Sequence, residues 1–489
     1  MDTQRLTPNN DASADAQYAA IVARVEPEED AQDDPAMAWG RAEILDAATA
    51  AGHAESAEDY AAAYGRVFAA LDELDARLET QRFYAGRGHP TRADWWLLCL
   101  LLRFDTVYYG LYKCNRSRLQ DFANLPGYVR DVFQWADIAA TYDPVAIKRG
   151  HYEVAERINP KRLFPKGNGL DPWLPHDRAG KFGVADLVAV GTEEQTGTPA
   201  KAGEFVRPKS RHRDFITADG SSGFPAEAGR YHLYVALNCP WCHRVVLARQ
   251  LKGLTDVVSM DVLFYRRDPE RGWQFKPDEP GCTPDTVFGY RFLREIYERV
   301  DSTEKSAPVL YDKKTDRIVS NESAEILRMF DAAFAEVAPC ALTLVPRELE
   351  AEIDALNAWI YRDINNGAYK AGFSNSQVAY EAAYDRLFAA FAQLDERLAD
   401  RKFLTGEALT EADVRLFPTI FRFDAIYYTR FRLNHKMVAD YTNLSRWFAD
   451  MLAYPGVREA SNLRHAKNGY FGRTGNNIVP LGPASSGVE

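Results

Sequence analysis

Two periodicities of apolar and polar residues divide this chain. In YAAAYGRVFAALDELDARLETQRFYAG, from Tyr60, the apolar side chains of Tyr64, Phe68, Leu71, Leu74 and Leu78 recur at three- and four-residue spacing, the signature of one buried helix face. The run YHLYVAL from Tyr231 is apolar and aromatic without that spacing and predicts a buried strand, with a helix after Pro240. Between Phe215 and Phe334 strand-like and helix-like stretches alternate: YHLYVAL, the helix after Cys239, VVSMDVLF, FLREIYERV, PVLYD, RIVS and a helix from Glu322. A cysteine at the first helix and a proline before the third strand fit a thioredoxin-like domain. Pro308 is the candidate cis proline of such a domain, and an ordinary trans proline fits its place before a strand as well.

The helical pattern occurs twice. YAAAYGRVFAALDELDARLETQRFYAG matches YEAAYDRLFAAFAQLDERLADRKFLTG from Tyr380 at an offset of 320 residues. One extra residue near His89 then shifts the register to 319, placing Thr91 on Thr410 and Arg103 on Arg422. Upstream, Trp39 falls on Trp359 and Gly52 on Gly372. A unit of this length is a whole domain and not a solenoid repeat. Where the later copy has Tyr361, Asn365, Asn366, Gly367 and Tyr369, the earlier has Arg41, Leu45, Asp46, Ala47 and Thr49, so the phenols and amides that could meet a substrate are absent from it. The earlier copy is expected to be structural.

The remaining stretches bound the domains. The start, MDTQRLTPNNDASADAQ, is poor in apolar residues and predicts disorder over 1–16; EPEEDAQDDP reads as a solvated loop. A first helical copy over 17–170, a Pro-, Gly- and Thr-rich linker over 171–210, the thioredoxin-like domain over 211–337, the second helical copy over 338–473 and a tail over 474–489 complete the division. A net charge of -11 without a Lys/Arg cluster argues against nucleic acid or an anionic membrane as partner. Six scattered cysteines do not make a disulfide framework, and neither a signal-like start nor an 18-residue apolar run is visible, so a reducing cytoplasm is expected.

Chemistry concentrates at the strand-to-helix turn. There the Cys239 sulfur meets unpaired backbone N–H groups and the positive end of a helix dipole, which favours thiolate over thiol. Pro240 suits the first helical turn, where no N–H is needed. Three other readings of Cys239, Cys242 and His243 stand beside a nucleophile: a zinc site, which is short of ligands; the C-x-x-C-H haem-attachment pattern, which needs export; and a structural disulfide, whose loop is too small to stabilise much. Further on, Asn321-Glu322-Ser323 opens a helix after an apolar strand. Capping by Ser320 or Asn321 accounts for it structurally, while free N–H groups, the Ser323 hydroxyl and the Glu322 carboxylate also suit the two charges of an amino-acid end. No Walker or G-x-G-x-x-G pattern and no metal motif is visible.

YHLYVALNCPWCHR, Gly272-Trp273-Gln274-Phe275, APVLYDK, IVSNESAEILRMF, NAWIYRDINNGAYKAGFS, LTEADVRLF and RFDAIYY, in unbroken order between about Phe205 and Pro483, resemble the glutathionyl-hydroquinone reductases, the Xi class of glutathione transferases. The resemblance implies an α/β thioredoxin-like domain followed by an all-α glutathione-transferase C-terminal domain, here preceded by a second, degenerate copy of that helical domain. It implies glutathione as co-substrate, without a metal, held by Trp273, Lys305, Ser306, Ala307, Glu322 and Ser323, with Ala307 offering its backbone. Cys239 would be the nucleophile, Tyr369 the proton donor and acceptor to the substrate oxygen, and Tyr427 and Tyr470 hydrogen-bonding partners of the sulfur. Packing is the alternative for any one of 25 tyrosines. The family's helical domains form dimers; here the extra copy could dock internally, giving a monomer with a pseudo-dimer inside it, or the chain could still form homodimers or carry the copy as an undocked accessory.

Several positions depart from the family pattern. Its arginine before the proline is Glu304 here, with Lys305 beside it, and lysine lacks the bidentate fork, so another low-molecular-weight thiol is the alternative to glutathione. His-Phe-Lys-Cys-Asn becomes Arg430-Phe431-Arg432-Leu433-Asn434, the histidine before Tyr470 is Gly469, and Cys242 stands where most members have alanine. The expected reaction is reduction of a glutathionyl-hydroquinone through a Cys239–glutathione mixed disulfide. A dithiol oxidoreductase or protein deglutathionylase using Cys242, and a catalytically idle scaffold, are the alternatives.

Overall fold

The computed structural model describes residues 10–25, 35–86, 89–135, 138–182, 210–472 and 476–483. At its centre is a four-stranded sheet: β1 Tyr231–Val235, β2 Ser259–Val262, β3 Val309–Asp312 and β4 Arg317–Ser320. The strand order is β2-β1-β3-β4, with β1 parallel to β2 and antiparallel to β3, and β3 antiparallel to β4. Every residue of β1 is buried, as a strand covered on both faces requires. The helices Pro240–Leu251 and Ser323–Ala332 pack together against the sheet. The Ala307–Pro308 bond that leads into β3 is cis. This is the expected thioredoxin-like arrangement.

The two helical copies are built on the same anchors. Asp94 accepts the backbone N–H groups of Tyr84 (2.7 Å) and Thr91 (2.8 Å) and the Tyr128 hydroxyl (2.8 Å). Its counterpart Asp413 accepts those of Leu404 (2.9 Å) and Thr410 (3.0 Å) and the Trp447 indole N–H (2.9 Å). Each buried carboxylate thus has its lone pairs taken, which a buried charge needs. Gly52 and Gly372 lie so close to the rings of Tyr112 and Phe431 that a Cβ on either would come within 2.2 Å of them. The likeness continues past the sequence match: the helices Pro144–Tyr152 and Leu463–Phe471 have equal length at the same 319-residue offset, which sets His151 at the place of Tyr470.

The copies face each other and exchange arms. Counterparts Tyr109 and Tyr428 meet edge to face with centroids 5.6 Å apart, marking a local two-fold axis. Beside it the Arg118 guanidinium bonds both Asp121 (2.8 Å) and that residue's counterpart Asp440 (2.8 Å). The segment after the first copy crosses the second, and the tail after the second crosses the first. Gly167 N–H donates to Asn434 Oδ1 (3.1 Å), and Gly482 N–H to the counterpart Asn115 Oδ1 (3.2 Å). LFPKG from Leu163 and IVPLG from Ile478 are thus equivalent arms.

The outer segments differ from expectation. Residues 10–25 form a helix, with Ala14 and Ile21 buried against the helix Arg92–Arg103, so the expected disorder over 1–16 does not hold from Asn10 onward. The period-matched alanines and isoleucine of a polar stretch suffice once a partner face is present. Of the expected linker, 171–182 packs on the first copy, where Arg178 donates to the carbonyls of Gln81 (2.6 Å) and Arg82 (2.7 Å). Its remainder through 209, the acidic loop over 26–34 and the tail beyond 483 lie outside the described residues. Among the described residues no helix is long and apolar enough to cross a membrane.

Candidate active site

Cys239 is the N-cap of the helix Pro240–Leu251, in extended backbone conformation, with Pro240 at the first helical position. The orphan N–H groups of that first turn therefore face its sulfur. The sulfur lies 3.9 Å from the Ala307 carbonyl. A hydrogen bond from the Cys242 thiol holds the Cys239 thiol well below its ordinary range; burial opposes this, and the N–H groups of Cys242 and Trp241 and the Arg422 charge add to it. Cys242 is fully buried and stays protonated: burial and the neighbouring thiolate push its thiol far up. Its sulfur also accepts the Ala236 N–H at 3.4 Å.

Arg422, which sequence reasoning used only to set the repeat register, turns out to join the helical domain to this turn. Fully buried, it donates to the carbonyls of Leu237 (2.9 Å), Asn238 (3.2 Å) and Pro418 (2.8 Å) and to His243 Nδ1 (3.0 Å). A guanidinium can only donate, so His243 Nδ1 accepts and its Nε2 faces the Ser461 hydroxyl at 3.0 Å. Burial and the Arg422 charge keep His243 neutral. With both ring nitrogens engaged, the imidazole has none left for a metal or haem iron. Among the described residues no three His, Cys, Asp or Glu side chains gather as a metal site would require.

The three tyrosines converge from separate elements. Tyr369, on the helix Asn366–Phe373, and Tyr470, on Leu463–Phe471, share a hydrogen bond of 2.5 Å; Tyr427 reaches Tyr470 at 3.1 Å. Burial raises Tyr470 well above the ordinary phenol range and raises Tyr427, so both remain protonated donors near neutral pH. The hydrogen bonds seen for Tyr427 and Tyr470 run between phenols. Gly469 explains one departure: a Cβ there would come within 2.4 Å of the Asn238 side chain, so the residue before Cys239 occupies the space a histidine would take.

A cleft of about 640 Å³ opens against Trp241, Ala307 and Pro308 and continues past Lys305, Ser306, Glu322 and Ser323. Glu322 itself caps the helix Ser323–Ala332 through Ala324 N–H (3.2 Å) and accepts the Ser210 hydroxyl (3.0 Å); Ser320 and Asn321, the expected caps, do not. Ser306 is positioned by Asn321 Nδ2 (3.1 Å) and by Tyr297, whose hydroxyl donates to its carbonyl (3.0 Å). Trp273 is not in the cleft wall. It is buried, with the cleft-lining Arg267 guanidinium 5.4 Å above its ring. Glu304 is paired with Arg211 at 3.4 Å.

Two further residues shape this wall. Arg244 stacks on Trp241 at 4.5 Å and bonds the Asn365 amide oxygen. Asn365, read from sequence as a group that could meet a substrate, is buried and gives its amide N–H to Thr419 (2.8 Å). Tyr361 does reach the cleft, beside Trp241 at 5.8 Å. An arginine among the apolar residues of VRLFPTIFRF is the sequence signal that could have pointed to Arg422.

With this geometry, known proteins are informative. The family profile described as Glutathione S-transferase, N-terminal domain matches residues 238–333, and that described as Glutathione S-transferase, C-terminal domain matches twice, at 57–132 and 377–450. The glutathionyl-hydroquinone reductase YqjG of Escherichia coli (strain K12) is 43% identical over 302 residues, covering 59% of this chain and 90% of its own. Its glutathione-bound structure superimposes with a TM-score of 0.55 at 42% identity, covering 57% of this chain and 94% of that one. The glutathione transferase Xi of Phanerochaete chrysosporium gives 0.55 at 39% identity, covering 58% and 98%. A thiolate-forming cysteine at a thioredoxin-like turn, a phenol cluster from the helical domain and these matches place the chain in the Xi class of glutathione transferases, with the glutathionyl-hydroquinone reductases.

Proposed function

We propose that this chain reduces glutathionyl-hydroquinones with glutathione. The observation that carries the reading is the Cys239 sulfur at a helix N-terminus, 3.9 Å from the carbonyl of the cleft-lining Ala307. The Cys239 thiolate attacks the substrate's sulfur, forming a mixed disulfide and breaking the carbon–sulfur bond. The bond's electron pair stays with the ring, which takes up a proton, and Tyr369, coupled to Tyr470, exchanges its proton with the substrate oxygen as charge develops there. A second glutathione thiolate attacks the mixed disulfide, giving glutathione disulfide and restoring Cys239.

The cleft supports glutathione as follows. Glu322 and Ser323 hold the γ-glutamyl end, and Ala307 pairs with the peptide backbone as a short strand would. Glu304 cannot bind a carboxylate. Arg267, over Trp273 and lining the cleft, supplies the cation in its stead. The reciprocal arms satisfy within one chain the surface that a helical domain would give a second subunit, so the protein acts as a monomer, in the cytoplasm where glutathione is reduced.

Five outcomes test this reading. Cys239→Ser reduces turnover of a glutathionyl-hydroquinone to the uncatalysed background, because a serine hydroxyl neither ionises near pH 7 nor forms the mixed disulfide; substantial residual turnover contradicts the assignment. Alkylation of Cys239 rises with pH through a midpoint at about 6, as the thiol ionises. Cys242→Ala removes the donor and moves that midpoint up by about one pH unit, while turnover at pH 8 is retained because glutathione does the resolving. Mass spectrometry that traps mainly a Cys239–Cys242 disulfide would favour the dithiol route instead. Tyr369→Phe slows hydroquinone release by about 10²-fold and leaves the alkylation midpoint in place; a displaced midpoint contradicts this division of roles. In sedimentation, the full chain runs as one species of 55.1 kDa, and a species of twice that mass rejects the internal pseudo-dimer.

A further inference from the structure

Tyr369 lies near the C-terminal end of the continuous helix Glu350–Phe373, beyond its π-helical turn Ile360–Asn365, and Tyr470 lies near the end of the nine-residue helix Leu463–Phe471; last turns fray unless tertiary contacts hold them. Each continues into contacts with the first helical copy. Lys161, on the arm leaving that copy, donates its ammonium to the last carbonyl of the Tyr369 helix, Phe373 (2.9 Å), and to the next, Ser374 (2.8 Å). A cation at this end satisfies orphan carbonyls and complements the helix dipole. Phe373 packs on Tyr369 with centroids 5.4 Å apart. Two residues earlier, Asn159 accepts the Arg432 guanidinium. Arg432 follows Phe431, whose ring stacks on Tyr427 (4.7 Å) and touches Tyr369 and Tyr470 (both 5.7 Å).

The other phenol is held from the same side. From Asn476 the chain lies on the first copy, where Asn476 donates to the Gly52 (3.3 Å) and Ala54 (2.9 Å) carbonyls. Lys113 in turn donates to Asn476 Oδ1 (2.8 Å) and the Ile478 carbonyl (2.9 Å). The exchange is reciprocal in form, since Lys161 and Asn476 occupy matching places on the two arms, but the first copy has Thr49 and His151 where the second has Tyr369 and Tyr470. Both contacts therefore bear on the phenol pair of the second copy, and the first copy has no such pair.

We propose that the first helical copy is a positioning domain for the substrate-side proton couple, acting through Lys161 and Asn159. It holds the Tyr369 and Tyr470 helices at the separation that lets their hydroxyls share a hydrogen bond, and it leaves the thiolate alone. This rests on the assignment of Tyr369 and Tyr470 to proton transfer.

The test uses the full chain with Lys161→Met, which keeps length without a donor, and Lys161→Arg, which keeps a donor. In Lys161→Met, amide exchange over 366–374 speeds up about tenfold and kcat for a glutathionyl-hydroquinone falls about tenfold, the loss of one charged hydrogen bond. KM for glutathione, the pH profile of Cys239 alkylation and exchange in the distant helix Gln377–Arg397 stay as in the wild type. Lys161→Arg recovers most of both losses. Wild-type exchange and kcat in Lys161→Met overturn the proposal, as does a loss accompanied by a shifted alkylation profile or by faster exchange in Gln377–Arg397. Should the wild-type chain turn over no glutathionyl-hydroquinone, the activity reading fails, while exchange over 366–374 still decides whether Lys161 braces the helix: an unchanged rate overturns the brace, and a tenfold rise with rescue by arginine supports it.

Discussion

The buried guanidinium of Arg422 is the contact on which the catalytic unit depends. Rooted in the helical domain, it reaches across to the Leu237 and Asn238 carbonyls, directly ahead of Cys239, and through His243 to Ser461. An arginine in this position does two kinds of work. It fixes the turn that aims the sulfur, since a planar fork with several donors leaves little rotational freedom, and its charge favours the thiolate. Removing it would take a donor from the Leu237 and Asn238 carbonyls and from an imidazole at a domain junction, where unpaired buried polar groups are costly.

The first copy keeps this device without the chemistry. Arg103, the counterpart of Arg422, donates to the Gln17 side chain (2.6 Å) and the Cys99 carbonyl (2.6 Å). The helix Asn10–Val25 lies on the helix Arg92–Arg103 much as the Cys239 helix lies on Glu411–Arg422. A single amphipathic helix thus covers the face that a thioredoxin-like domain covers in the second copy. That face is apolar in both, so some element has to shield it from water.

Symmetry between the copies breaks where charge requires it. A two-fold axis would bring Asp121 and Asp440 together as like charges; Arg118 sits between them, and its own counterpart is the uncharged Met437. One cation against two carboxylates is a combination that an exact homodimer could not arrange on its axis with a single arginine. A fused pair of copies is free to evolve such differences side by side, as the Lys161 and Asn476 arms also illustrate.

Local pattern was enough for much of this molecule. Apolar periodicity and turn residues marked the strands and helices, the strand-to-helix turn put Cys239 at the N-cap where the structure has it, and the repeat was readable because core positions such as Tyr64, Phe68 and Leu74 recur in register. What the chain alone did not reveal are contacts between residues hundreds of positions apart. Whether Asn365 meets a substrate or holds Arg244, whether Trp273 lines the cleft or lies beneath Arg267, and which residue caps the Glu322 helix are settled by competing hydrogen bonds in three dimensions. The order of Asn10–Val25 belongs to the same group, because a short helix of mean polarity gains its stability from the face it covers. Sequence determined which side chains were available and how each segment folds by itself; the tertiary structure decided which of them meet, since packing and the pairing of buried polar groups depend on distances that sequence separation does not encode.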